Sequence, residues 1–381
     1  MAKHLPDNCL MIIFNYSNQL EDLINWAKVC TRWKDLILYR LSQVKYLLFS
    51  SFNIPISVDS MRLYYSGSLV SPGQGYLTEL LPNLRILELG PLCLSSYKDL
   101  FKLLDHESIK VAFGSPVNFA ADTCPANRGV ASLAFQKRLI SSCVALKQLY
   151  IKNNFPSFYI NSDLELLLRL NLDSVALAYL SMEPTPLQLP RLKILELDFS
   201  RAMPRDHSGY TFMDQCSSLE SAFIKSATKT CSVNETKINL HLHDLVIQNS
   251  AEYTHDWNCI RGILCKFPNL RHLAIRENDE IADINIEELV DMLPAIKLID
   301  FRGSKGITKQ SADFLNEYCS QSGRSSITIY YNCKDDEPSD WPKIIKTHDK
   351  VCYGFDFMKH CFFRYFDNLP IILDPKENPD L

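Results

Sequence analysis

One short apolar signature returns along most of this chain: an apolar residue, two variable, a second apolar, one variable, a third apolar. It reads "LRILEL" at 84, "LKQLYI" at 146, "LDSVAL" at 172, "LKILEL" at 192, "LESAFI" at 219, "LHDLVI" at 242, "LRHLAI" at 270 and "IKLIDF" at 296. From 146 onward the starts lie 26, 20, 27, 23, 28 and 26 residues apart. "VKYLLF" at 44, "VDSMRL" at 58, "HESIKV" at 106 and "RSSITI" at 324 are less regular candidates, giving an expectation of about nine to eleven units. No single unit can bury its own apolar residues, so the period demands a stack in which each neighbour covers the next.

The period is that of a leucine-rich repeat. Within a unit the x-L-x-L part predicts a short strand with alternate residues inward, and a following stretch such as "NIEELVDMLP" (285–294) has helical spacing. The expected fold class is α/β: a curved solenoid with parallel strands on the concave face and helices outside. Residues between the inward ones should line that concave face. They are Ile86 and Glu88, then Gln148, Tyr150 and Lys152, then Ile194, Glu196 and Asp198, then Phe223 and Lys225. Asp244, Val246 and Gln248 follow, then His272, Ala274 and Arg276, and last Leu298, Asp300 and Arg302. Among them Tyr150, Lys152, Phe223, Lys225, His272, Arg276 and Arg302 are the candidate substrate-binding residues. His272, Arg276 and Arg302 would suit an acidic or phosphorylated segment, because arginine forks match carboxylate and phosphate. The plainer reading makes them solvated strand residues paired with Asp244 and Asp300.

The first forty residues differ. Leu10, Ile13 and Phe14 fall on one face of a short helix begun by Pro6 and Asp7. Leu23, Trp26, Ala27 and Cys30 mark a second helix after Glu21 and Asp22, and Trp33, Leu36, Ile37 and Leu41 a third. Three helices this short make a marginal core alone. Leu5-Pro6-Asp7, Leu10, Ile13-Phe14, Tyr16, Asp22-Leu23, Val29-Cys30, Arg32-Trp33 and Leu36 resemble the F-box, with Ser17 standing where that family usually carries leucine. The resemblance implies docking onto the Skp adaptor of a Skp-cullin-F-box ubiquitin ligase, and through it a cullin and a RING subunit. Leu5, Pro6, Leu10, Ile13, Phe14, Leu23, Val29 and Trp33 would form the adaptor-binding surface, with an unnamed protein substrate held by the repeats. The alternative is a repeat scaffold for protein binding in which the module is only a structural cap. The segment "LIDFRGSKGITKQSADFLNEYC" resembles the cysteine-containing repeats that often follow an F-box, with Ser304 at the cysteine position, and Cys143 and Cys216 fit the same subtype as core fillers.

The expected domains are a helical module at 1–44, a solenoid at 45–333 and a capping segment with tail at 334–381. That last segment contains "CYGFDFMKHCFFRYFDNLPIIL", too aromatic to stand in water; it is expected to cap the open end of the array, the other arrangement being a fold over the concave face. A net charge of −4 gives no basic field for nucleic acid. No apolar stretch approaches about 18 residues, and the N-terminus does not resemble a signal peptide, so no membrane association and a cytoplasmic or nuclear location are expected. Thirteen scattered cysteines without a C-x-x-C read as reduced, buried fillers. Phosphate-loop, dinucleotide, zinc-protease and serine-hydrolase motifs are missing from the sequence, and His241, His243, His255, Cys259 and Cys265 lack zinc-site spacing. The chain therefore reads as non-catalytic, with no cofactor and no metal.

Overall fold

The computed structural model describes residues 5–49, 62–65, 79–84, 86–89, 111–114, 147–151, 167–172, 189–199, 209–227, 233–234, 236–250, 253–332, 338–347 and 351–374. The chain divides into two compact units, 1–166 and 167–381.

The first unit opens with α1 (Asp7–Tyr16), α2 (Leu20–Ala27) and α3 (Thr31–Ser42). Asp7 lies in the first turn of α1 and Glu21 and Asp22 in that of α2, where carboxylates favour the positive end of the helix dipole. Leu10, Phe14, Leu20, Leu23, Ile37 and Leu41 form the bundle core. Phe14 packs edge-on against Trp33 at 5.2 Å between ring centroids. Arg40 is buried with them and donates from Nε to the Phe14 carbonyl (2.9 Å) and from Nη2 to the Ser17 carbonyl (2.9 Å). It thereby satisfies acceptors that the end of α1 leaves without helical partners. Asn83 donates to the Ser42 carbonyl at 2.7 Å and ties the end of α3 to the chain before the third strand. The strands of this unit are β1 (Tyr46–Phe49), β2 (Arg62–Tyr65), β3 (Ile86–Leu89), β4 (Val111–Gly114) and β5 (Gln148–Ile151). They pair in parallel in the order β2-β1-β3-β4-β5, so β2 flanks β1 on the side away from β3.

The second unit holds β6 (Arg169–Leu172), β7 (Ile194–Phe199), β8 (Ser221–Ser226), β9 (Asp244–Asn249), β10 (His272–Arg276), β11 (Leu298–Asp300) and β12 (Thr328–Tyr330). All pair in parallel and in chain order. On one side Leu170, Leu195, Ala222, Leu245, Leu273 and Ile299 lie in register and are fully buried. On that side of the chain follow α4 (Gly209–Met213), α5 (Trp257–Leu264), α6 (Ile286–Met292) and α7 (Lys309–Ser322), which bury Met213, Ile260, Ile263, Leu289, Val290 and Leu315. Buried Ser304, at the expected cysteine position, donates to the Ile275 carbonyl (3.2 Å) and accepts from the Asn278 amide (3.1 Å). Cys216 is buried as expected, whereas Cys143 lies outside the described residues.

Two expectations change. A strand that the sequence reading left out runs at "RLNL" (169–172), where Leu167, Leu170 and Leu172 supply a buried triplet; the strand expected in "LDSVAL" lies beyond Leu172, outside the described residues. Twelve strands, β1 to β12, follow the repeat among the described residues, five in one unit and seven in the other, against the nine to eleven units expected. The cysteines are not uniformly buried and reduced: Cys9, Cys30 and Cys265 are exposed, and Cys259 is disulfide-bonded.

The aromatic C-terminal segment does not stop at the last strand. It carries the short parallel pair β13 (Val351–Tyr353) and β14 (Ile372–Asp374). From there it crosses back over the strands on the side away from the helices. Trp341 stacks edge-on against Tyr330 of β12 at 5.5 Å, Phe362 packs beside His272 of β10 at 6.4 Å, and Phe366 beside Phe223 of β8 at 5.5 Å. Arg169 of β6 donates to the carbonyls of Pro370 (2.6 Å) and Ile371 (3.1 Å). The end-cap expectation is thus replaced by a strap over the strand face. Ile194, Phe223, Val246 and Ala274 put apolar groups on that face, and Cys352, Phe357, Cys361, Phe362, Phe366, Leu369 and Leu373 cover them in one buried cluster. Among the described residues no helix is long and apolar enough to cross a membrane.

Candidate functional site

Two surfaces bear on function, one in each unit. In the first, Cys9, Ile12, Ile13 and Tyr16 follow helical spacing along the flank of α1 opposite the core and are all exposed, Tyr16 by 65%. Arg32 at the start of α3 donates to the Leu5 carbonyl (2.6 Å) and to the Asp7 carboxylate (2.6 Å). The beginnings of α1 and α3 are therefore held together, and exposed Leu5 and Pro6 lie at the same end of the bundle as exposed Val29. Of the residues assigned from sequence to an adaptor surface, Leu5, Pro6, Ile13 and Val29 are exposed and Trp33 is half-buried. Leu10, Phe14 and Leu23 are not on the surface; each is at most 1% exposed, because three helices this short need them as core. Ile12, Leu38 and Tyr39 are exposed apolar residues that the sequence reading left out of the surface.

In the second unit the residues expected on the open strand face do share one side. Asp198, Lys225, Gln248 and Arg276 stand in register, as do Glu196, Phe223, Val246, Ala274 and Asp300. The strap covers them. Arg276 is fully buried and donates to the carbonyls of Arg364 (2.8 Å) and Phe362 and to Asp300 (2.9 Å). Arg302 is 2% exposed, donates to Asp300 (2.7 Å) and to the Pro342 carbonyl, and faces the rings of Tyr330 and Phe363. Burial lowers the Arg276 guanidinium from its ordinary value against the pull of Asp300. Burial would raise the Asp300 carboxyl, yet Arg276 and then Arg302 beside it hold it below the usual carboxylate range. Lys225 binds Asp367 of the strap at 2.9 Å, and Phe223 is fully buried.

Arg276, Arg302 and Phe223 are therefore not an open substrate surface. Lifting the strap would expose Phe357, Phe362, Phe366, Leu369 and Leu373, at about 1.5–3 kcal/mol for each side chain. A charge-assisted hydrogen bond to an incoming acidic group returns only about 1.5–3 kcal/mol. His272 keeps 27% of its side chain exposed but is bonded through Nδ1 to Asp244 at 2.6 Å. Lys152 and the Tyr150 side chain lie outside the described residues.

A recess lies between the strap and the strand face. Where β7, β8 and β9 begin, Lys193, Ser221 and Asp244 face the loop 354–360 across a cavity of about 700 Å³. Gly354 turns the chain there with φ of +99°, a left-handed conformation that side chains disfavour. Asp356 then accepts from the amide of Lys359 at 3.1 Å.

Residues 2–43 match the family model described as F-box-like. That module is F-box-like. No curated protein matches the chain. Among solved structures the chain is similar to the one described as "Crystal structure of Rad7 and Elc1 complex in yeast", at 14% identity and a TM-score of 0.36, over 86% of this chain and 93% of that one.

Within the F-box-like module, helical spacing counted from Cys9 would have singled out Ile12 and Tyr16 as the outward flank. In the second unit the missed signal was the run of apolar residues at supposedly open positions, Ile194, Phe223, Val246, Ala274 and Leu298. Five such residues on one side of a water-facing sheet, three of them (Phe223, Val246 and Ala274) in register, would be costly, and the aromatic-rich C-terminal segment is their complement.

Proposed function

We propose that this chain is the substrate-recognition subunit of a Skp-cullin-F-box ubiquitin ligase, docking the Skp adaptor through the exposed flank of its F-box-like module and a protein substrate through the second unit. The observation that carries the reading is the outward apolar set Leu5, Ile12, Ile13, Tyr16 and Val29, which the chain's own packing leaves uncovered. Covering each such side chain contributes about 1.5–3 kcal/mol when burial is complete, enough together to support a stable complex. The chain would be non-catalytic, with the ubiquitin thioester carried by a conjugating enzyme recruited through the cullin and RING subunit. Its contribution would be proximity, turning a bimolecular lysine attack into an effectively intramolecular one. The strand spacing and the Ser304 turn favour the cysteine-containing leucine-rich subtype in a curved array, and a cytoplasmic or nuclear setting follows from the same reading.

Co-expression with a Skp adaptor tests it. The expected result is one-to-one co-purification that Ile13→Asp with Tyr16→Ala abolishes while the melting temperature of the free chain is unchanged. A wild-type chain that purifies as an adaptor-free monomer favours the scaffold reading, in which the module is a cap; the burial of Leu10, Phe14 and Leu23 in the bundle core is what that reading draws on.

A further inference from the structure

With Arg276 and Arg302 sealed beneath the strap, recognition has to use what the strap leaves open, and the recess at the starts of β7 to β9 has the size of a ligand site, about 700 Å³. Its lining contains three carboxylates, Glu220, Asp244 and Asp356, against the ammonium groups of Lys193 and Lys359. Asp244 is fully engaged, accepting from Ser221 Oγ at 2.7 Å and bonded to His272 Nδ1 at 2.6 Å, so it contributes field rather than a free partner. Glu220 is paired to Lys193 at 2.8 Å, but the two side chains are 45% and 44% exposed. A pair so exposed contributes little and exchanges readily. Asp356 is exposed and receives the Lys359 amide on Oδ1. The loop wall adds half-buried Phe355 and Met358 beside buried Phe357.

An apolar wall leading to exchangeable carboxylates matches a long aliphatic stem with a cationic tip. An anion would meet the majority charge, three carboxylates against two ammonium groups. We propose that this recess binds a basic side chain of the substrate, arginine in preference to lysine, presented by an extended peptide segment. The guanidinium fork can span a carboxylate on two oxygens while its plane lies against Phe355, which an ammonium does less well. The assignment rests on the receptor reading for its biological meaning and deepens it by naming the substrate chemistry.

The test uses the full chain purified with its adaptor and fluorescein-labelled degenerate nonapeptide pools whose central residue is fixed as Arg, Lys, Gln, Glu or phosphoserine, read by fluorescence polarisation. The Arg pool should bind at least about tenfold more tightly than the Gln pool, with Lys between them, because a charge-assisted pair is lost on going to Gln. Glu220→Gln with Asp356→Asn should bring Arg down to the Gln level, and Asp356→Arg should shift preference toward Glu. Equal or undetectable binding of the Arg and Gln pools, a preference for phosphoserine, or an Arg preference that survives both carboxylate substitutions overturns the proposal. Failure of the receptor reading appears separately, as a chain that does not co-purify with the adaptor whatever the peptides do.

Discussion

Asp300 accepts from two arginines and has no solvent-facing surface. Removing its charge leaves Arg276 and Arg302 buried and uncompensated, so Asp300→Asn is expected to cost about 3–5 kcal/mol at neutral pH, read from urea midpoints. The same residue sets an acid limb. Its folded pKa lies below the ordinary 3.8 through Arg276 and Arg302, despite burial that pushes the other way. A depressed carboxylate contributes stability that is complete above its unfolded value and is lost as pH falls through the folded one. Unfolding should therefore become easier below about pH 4 in the wild type, and less steeply so in Asp300→Asn. Unchanged acid limbs in the two proteins would contradict this assignment. The sequence placed Asp300 on the correct face and beside the correct arginines. It read the group as solvated because pairing partners are visible in strand register while a covering segment from far along the chain is not.

Elements show a similar division. The seventh helix starts where Thr308 accepts from the Gln310 amide at 3.2 Å while donating to Asp283 at 2.7 Å, and ends at Gly323 with φ of +63°. Thr308→Ala should cost about 1 kcal/mol, seen as a lower thermal midpoint. The strap obeys tertiary packing rather than local rules. Phe362 is fully buried between His272, Phe363 and the Arg276 guanidinium. Phe362→Ala should cost about 3–5 kcal/mol, and a chain ending at residue 340 should lose the cooperative unfolding of the second unit in calorimetry. A C-terminal end-cap would make neither change so severe. Its aromatic density announced burial in the sequence, but density has no direction, and only the complementary apolar row on β7 to β11 fixed where it went.

For the molecule as a whole, the residues that build the F-box-like module and those available to a partner are different sets. Leu10→Ala or Phe14→Ala should each lose about 2–5 kcal/mol, so any loss of adaptor capture would come with a lower melting temperature. Ile13→Asp should abolish capture with the thermal transition intact, and differential scanning fluorimetry beside a pull-down separates the two. By itself the sequence determined the three helices, the parallel strands, their inward leucines and the alternate residues sharing the opposite side. These follow from side-chain periodicity of 3.6 and 2, which is local. The tertiary structure alone decided that the opposite side of the second unit is covered, that Arg276 and Arg302 are buried and paired to Asp300, and that a recess remains at the starts of β7 to β9. Those depend on where a distant segment lands, and its landing is set by the summed burial of many apolar groups across strands far apart in the chain, a quantity no local pattern contains.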